Sequence, residues 1–300
     1  MAHLAIPSEA KSVDYKLLLP TYRARQSWVL KTLDSVAHNA EIHRTINVGC
    51  GEGDIDHHLR KRSKHLVACD LNEGDVTHAR ALNADVGVEY LVADAETLPF
   101  EDGSFDVVCC LEVIEHVADP RACLSELARV VHAGGHVVLT CPSARFPIAY
   151  DPVNWILSRM GTHVSVGAFG YGHSWLPQEA ALVEWARVAG LHLADHAYLT
   201  RALASAVEAY WPGLVQRFLK SNARNWRGPV SRTGVRAPKR FFPSMRPSRG
   251  KPPLLWVVDA IIAADERLFS SSQAAVSMGF LFERADQPKL RAPRFFGGET

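Results

Sequence analysis

Hydrophobic positions in the first half of the chain fall into five short runs rich in β-branched residues. These are Thr45–Val48, Leu66–Leu71, Val88–Ala93, Phe105–Leu111 and His136–Thr140. Near-continuous apolar runs of this length suit parallel strands covered on both faces. Between them the period changes. Ile55–Lys64, Gly74–Asn83 and Arg121–His132 read as helices, the last with Leu124, Leu127, Val130 and Val131 along one face. Strand alternating with helix predicts an α/β, doubly wound sheet.

After Thr140 the rhythm breaks. Residues 142–175 are rich in Pro, Gly, Tyr and Trp with little periodicity. A helix over Pro177–Ala189, closed by Gly190, then leads to a sixth strand at Leu191–Leu199, and a seventh is expected at Ala274–Arg284. The connection between those two is unusually long, and such loops are functional, separately folded or disordered. The resulting division is an N-terminal helical cap over 1–42, a core over 43–199, and an insertion over 200–271. A last core strand over 272–285 and a tail over 286–300 complete it. Within the cap, Tyr15–His38 has helical character and is expected to close over a cleft in the core.

Charge changes this picture in one place. The 300 residues carry a formal net charge of +1, which does not point to nucleic acid. From Arg217 to Lys251, however, there are eleven Lys and Arg residues and no Asp or Glu. One reading is a solvated loop; the other is a surface for an anionic acceptor or for membrane headgroups. Leu254–Phe269 beside it reads as an amphipathic helix, used in core packing or at a membrane surface, so peripheral membrane contact is considered over 217–269. The apolar run Leu254–Ala264 is broken by Asp259 and is too short to span a bilayer. Six cysteines without a C-x-x-C pair read as buried reduced thiols, and the chain shows no signal peptide. The expectation is therefore a cytoplasmic protein.

The densest chemistry lies at Ile46-Asn47-Val48-Gly49-Cys50-Gly51-Glu52-Gly53, where a strand enters a glycine-rich turn before a helix. Glycines let the chain turn sharply and let a ligand approach the backbone. Asp70 ends the second strand, where an acid can bind both ribose hydroxyls. A nicotinamide site would want Gly or Ala three residues after Gly51. Asp54 stands there instead, beside where a pyrophosphate would lie. The pattern favours a nucleoside without phosphates.

The segments NVGCGEG, ACDLN, VADAETLPFEDGSFDVV, LEVIEHV and LARVVHAGGHVVLTCP resemble the class I S-adenosylmethionine-dependent methyltransferases, in particular the type 11 group. The likeness covers about residues 43–143. It implies a Rossmann-like seven-stranded sheet with the last strand antiparallel, and S-adenosylmethionine as methyl donor. It also implies that Gly49, Cys50, Gly51 and Gly53 line the methionine part and that Asp70, with Leu71, meets the ribose. Asp94 and Ala95 would meet the adenine, and Leu111 and Glu112 the sulfonium end. Asn47 stands where the group usually carries Asp; it can accept a hydrogen bond but cannot neutralise the methionine ammonium. Other uses stay open: Asp70 as a strand-end cap, Asp94 as a turn residue, Glu112 as a solvated acid, and Gly134-Gly135 as the turn before the fifth strand.

The run Glu112-Val-Ile-Glu115-His116 also resembles one associated with a divalent cation in quinone O-methyltransferases. Because Glu-His occurs here in many members without metal, no metal is expected. His173 and His116 are the candidate proton acceptors, with His163 weighed beside them and Tyr150, Tyr171 and Trp175 as walls. The acceptor implied is a small or lipid-linked molecule methylated at O or N, with no nucleic acid partner. Two other classes stay in view: a module that binds S-adenosylmethionine without turnover, and a nicotinamide-dependent oxidoreductase.

Overall fold

The computed structural model describes residues 15–39, 41–169, 173, 175–208 and 253–285. Seven strands form one sheet: β1 (Arg44–Val48), β2 (His65–Asp70), β3 (Val88–Val92), β4 (Phe105–Leu111), β5 (Val131–Pro142), β6 (Leu191–Leu199) and β7 (Ser277–Arg284). Their order is β3-β2-β1-β4-β5-β7-β6. The pairs β1–β2, β2–β3, β1–β4 and β4–β5 are parallel, and β7 runs antiparallel to both neighbours. The Rossmann-like sheet with an antiparallel last strand is thus present. Strand order reverses between β1 and β4, which places the ligand crevice at their carboxyl ends.

The helices are α1 (Pro20–Asn39), α2 (Asp56–Arg60), α3 (Glu73–Leu82), α4 (Pro120–Val130), α5 (Pro152–Leu157) and α6 (Glu179–Val188), then a helical stretch at 202–208 (α7) and α8 (Pro253–Leu268). Their starts follow from local chemistry. Asn72 and Asp119 accept backbone N–H groups at the starts of α3 and α4, the latter followed by Pro120 at its first turn. Asp265, buried on α8, accepts from the backbone of Leu203 at 2.7 Å and of Ala204 at 3.2 Å, so one helix caps another.

The sheet is covered on both faces. Leu124 and Leu127 of α4 and Leu182 and Ala186 of α6 pack on one, against Val108, Leu139 and Phe280. On the other, Val29, Leu33 and Val36 of α1 meet Leu59, Val107 and Val138. So α1 is part of the layer on that face. Trp28 lies so close to β7 that a Cβ at Gly279 would stand 2.6 Å from its ring, which is why glycine occupies that strand position. The six cysteines are free and buried, as their apolar surroundings suggest; burial pushes the Cys69 and Cys109 thiols up to about 12.

Several expected boundaries move, the seventh strand starting at Ser277 rather than Ala274 and the helix before the sixth strand running Glu179–Val188 rather than Pro177–Ala189. The helix expected over Ile55–Lys64 is only the five residues Asp56–Arg60, and the Arg60 guanidinium takes the Ser63 carbonyl at 2.9 Å. The helix expected to reach His132 stops at Val130, and Gly134-Gly135 lies within β5. Val131 pairs with Phe105, the ladder skips, and His136 pairs with Val107, so the glycines form a bulge in the strand. The basic run from Arg217 to Lys251 and Tyr171 lie outside the described residues. Of the stretch 217–269, the structure describes 253–269. Among the described residues no helix is long and apolar enough to cross a membrane.

Candidate functional site

The site is built from the turns that leave β1, β2 and β4. After β1, the Gly49 and Cys50 N–H groups both donate to the Cys69 carbonyl, at 2.8 and 2.9 Å, which ties the turn to β2. The Gly51 N–H donates to one carboxylate oxygen of Asp70 and the Asn72 N–H to the other, each at 2.9 Å. Asp70 therefore joins the two turns and is aligned by them, and each of its oxygens has a further lone pair to offer. Gly51 has φ +52°, and nothing lies within 4 Å of where its Cβ would be. That open space beside an aligned carboxylate suits a ribose, and Leu71, 57 % exposed at the same strand end, offers an apolar surface next to it. These residues fit a nucleoside ligand. Asp94 opens the next turn, accepting from the Glu96 N–H at 3.0 Å, with Ala95 buried behind it.

Beneath the turn lies a buried network. Asn47, 1 % exposed, donates from Nδ2 to Asp56 at 2.6 Å, and its Oδ1 is buried without a partner. The Tyr90 hydroxyl donates to the other Asp56 oxygen at 2.7 Å. Asn83 donates to that hydroxyl at 2.9 Å and to the Gly53 carbonyl at 3.0 Å. Burial raises the Asp56 carboxyl, opposed by its bonds from Tyr90 and Asn47. The acid missing at position 47 is thus supplied nine residues later, one layer below the cleft. Gly53 fits against Ala79 of α3, with 2.7 Å left for a Cβ, so it packs the turn onto that helix. Asp56 was not singled out in the sequence, although an acid on the first turn of the helix after a glycine loop is a visible signal.

The start of the chain reaches over this turn. Lys16 forms ion pairs with Asp54 and, at 3.6 Å, with Glu52. Arg25 of α1 pairs with Glu112 at 2.9 Å. Glu112 follows β4 with φ +58°, a left-handed conformation that costs a non-glycine residue on the order of 1–3 kcal/mol. Its N–H is held by the Thr140 carbonyl at 2.9 Å and its carboxylate also meets the Ser277 hydroxyl at 3.3 Å. The kink turns the chain after Leu111 sharply, and three residues on it carries Glu115 into the interior.

Glu115 is 0 % exposed, and neither carboxyl oxygen has a hydrogen-bond partner. Its Oε1 lies 3.9 Å from Nε2 of His116 and 3.9 Å from Nε2 of His173. One donor atom from each of the three lies within 4.8 Å of the others. The expectation of no metal therefore meets a set of groups able to share one small cation or one proton. His173 is oriented from behind, its Nδ1 standing 3.0 Å from the Ala168 carbonyl. Burial, reinforced by the Glu112 charge, holds the Glu115 carboxyl well above the ordinary range; burial lowers His116. Both shifts favour the uncharged forms, as suits an enclosed site.

Of the other candidates, His163 stacks on Phe169 with ring centres 4.1 Å apart, and Tyr150 packs edge-on to Phe146. Trp175 tilts toward Trp185 on α6 at 6.1 Å.

The buried acid has a stability signature. A carboxyl whose folded pKa lies above its unfolded value of 4.5 adds full stability below that value and loses it as pH rises through the window above. Glu115→Gln keeps the shape and removes the titration. Its melting temperature should exceed that of wild type by a margin that widens from about pH 5 to about pH 8. A margin independent of pH would mean that Glu115 ionises as an ordinary acid.

Comparison with known proteins agrees with this geometry. A family model described as a methyltransferase domain matches residues 46–139. The chain is 32% identical over 193 residues to a demethylmenaquinone methyltransferase of Clavibacter sepedonicus, covering 60% of this chain and 78% of that one. It is 30% identical over 158 residues to a ubiquinone biosynthesis O-methyltransferase of Hahella chejuensis, covering 51% and 64%. A solved geranyl diphosphate methyltransferase in complex with SAM shares the fold at a TM-score of 0.53, with 12% identity and 93% of each chain covered. With its sheet order, glycine turn and Asp70, the chain belongs to the class I S-adenosylmethionine-dependent methyltransferases. It is an enzyme that uses S-adenosylmethionine, which sets aside the nicotinamide reading.

Proposed function

We propose that this methyltransferase acts on a hydroxyl of a small, quinone-type ring carrying a lipid tail, and that His173 takes the hydroxyl proton. The observation that carries this reading is the orientation of His173. Its Nδ1 meets a carbonyl, which can only accept, so Nδ1 holds the hydrogen and Nε2 keeps its lone pair toward Glu115 and His116. An imidazole in that tautomer is ready to accept a proton. Two relatives carry names tied to quinones, which supports the ring class.

S-adenosylmethionine, when bound, supplies an activated methyl on a positively charged sulfur, open to in-line displacement. The chain's residues then position and protect. Asp70, with Leu71, would hold the ribose, Asp94 and Ala95 would flank the adenine, and Gly49, Cys50, Gly51 and Gly53 would line the methionine part. Asn47 and Asp56 brace that turn from below, and Leu111 and Glu112 face the sulfonium end. Holding two reactants in line supplies much of the rate. Nε2 of His173 would accept the hydroxyl proton as that oxygen takes the methyl carbon and sulfur leaves it, and His116 would wall the same space.

A second reading has a specific observation behind it: a buried carboxyl without partners, beside two imidazoles, is also a donor set for a divalent cation. Methyl transfer from labelled S-adenosylmethionine to hydroxyl-, amine- and carbon-acceptor analogues of one quinone ring tests both, with and without EDTA. The base reading expects turnover on the hydroxyl analogue that EDTA leaves unchanged. Loss on chelation, restored by Mg²⁺ or Zn²⁺, favours the cation. Turnover on none of these analogues rejects the quinone-type ring as the acceptor.

A further inference from the structure

The excursion between β5 and α6 has a buried polar centre beside a small apolar cluster of Phe146, Ala168 and Phe169, and leaves several large apolar side chains outside. Asp151 and Asn154 are buried, and they form its centre. Asp151 accepts from the Asn154 N–H at 3.0 Å, the Asn154 side-chain amide at 2.7 Å and the Ala168 N–H at 2.9 Å. Asn154 in turn accepts from the Val164 N–H at 2.8 Å and donates to the Val164 and Val166 carbonyls at 3.0 and 2.8 Å. These bonds fold residues 162–168 back over α5 and fix the excursion in one shape. Outside it stand Ile148, Val153, Ile156, Met160, Val164 and Val166, each between 43 and 72 % exposed. Six of the fourteen large exposed hydrophobics among the described residues thus fall within nineteen residues. Single exposed apolar side chains are ordinary; this concentration on a rigid element is not.

We infer that this face docks on the surface of a lipid bilayer. Three observations select that occupant. First, residues 152–169 contain no Asp or Glu, so this segment carries no acid to repel anionic headgroups. Second, the cation present is set as at an interface: the Arg159 guanidinium lies 3.3 Å from the centre of the half-buried Trp155 ring and donates to the Trp155 carbonyl at 2.6 Å. Trp and Arg with apolar stems below and polar tips above suit the headgroup level. Third, the excursion also holds the proposed base, since the Ala168 carbonyl takes His173 at 3.0 Å. A face that lies on the membrane and carries the base at its rear would receive a tailed acceptor without moving it through water. This last step rests on the lipid-linked acceptor proposed above; the first two do not.

The test is flotation of the full chain with vesicles of phosphatidylcholine alone and of phosphatidylcholine with phosphatidylglycerol, against the double variant Ile156→Glu with Met160→Glu. Wild type should float with both and more strongly with the anionic vesicles. The variant should lose at least about tenfold in binding, as expected for withdrawing two apolar side chains from a nonaqueous surface. Its melting temperature and its rate on a water-soluble, tail-less acceptor should match wild type. Wild type that stays out of both vesicle fractions overturns the proposal. So does a variant that floats like wild type, which would move the contact elsewhere, for example to the cations of 217–251. A wild-type dimer that the two substitutions dissociate, with no vesicle binding, overturns it in favour of a second copy. Wild type that floats but methylates no tailed acceptor supports the docking face and sinks the acceptor reading instead.

Discussion

Replacing His173 with Ala should lower kcat on a hydroxyl acceptor by about a hundred- to ten-thousandfold, the usual worth of a positioned base. The affinity for S-adenosylhomocysteine should stay within about twofold, because Asp70 and the glycine turn are built from other elements. The argument runs through the backbone. His173 is fixed by the Ala168 carbonyl, and Ala168 is fixed by Asp151, so the imidazole is held in one tautomer by two successive hydrogen bonds. Alanine removes the ring and leaves the bond between Ala168 and Asp151 intact. Imidazole added to the buffer should then restore part of the rate, which a merely structural histidine would not allow. Losses in kcat and in cofactor affinity together would mean that the substitution collapses the excursion. An unchanged kcat would remove His173 from the chemistry and turn attention to His116 or to an acceptor that needs no base.

What the sequence revealed and what it hid follow from how local each feature is. Phe105–Leu111 and Leu191–Leu199 were legible to the residue, because a strand between two layers or beside a partner strand shows its pattern within a few positions. The glycine turn and Asp70 were legible because each chemical need falls on consecutive residues. The bulge in β5 was not. Val131 looked like the last turn of an apolar helix face, and only pairing with Phe105 draws it into the sheet. The packing of α1 on the sheet was read only as a helix that would close over a cleft, since Val29 and Leu33 are separated from their partners Val107 and Val138 by more than half the core.

The meeting of Glu115 with His173 is the extreme case. Each was visible, Glu115 within an acidic run and His173 within a glycine-rich loop, but fifty-eight positions separate them. Nothing local says that a left-handed Glu112 will drive Glu115 inward, or that Ala168 will turn His173 to face it. The outward apolar face escaped for the same reason. In sequence, residues 148–166 look like an irregular loop, and only the bonds of Asp151 and Asn154 and the small cluster around Phe146 and Phe169 show which apolar side chains are left outside.

Asp70→Ala should weaken S-adenosylhomocysteine binding about ten- to a hundredfold or more, measured by calorimetric titration, which corresponds to about 1.5–3 kcal/mol. Two losses combine. The ribose loses a charged acceptor, and the Gly51 and Asn72 N–H groups lose the oxygens that align their turns. Asp70→Asn separates the two. Its single amide oxygen can still accept from one turn or from one ribose hydroxyl, while its NH₂ can accept from neither, so its affinity should fall between wild type and alanine. If Asp70→Ala and Asp70→Asn weaken binding equally while the melting temperature falls only for alanine, the ribose contact dominates. If alanine binds as tightly as wild type, Asp70 serves only to join β2 to the glycine turn. The nucleoside would then have to be held by the backbone of that turn and the apolar surface of Leu71 alone, an arrangement with no charged acceptor for its diol.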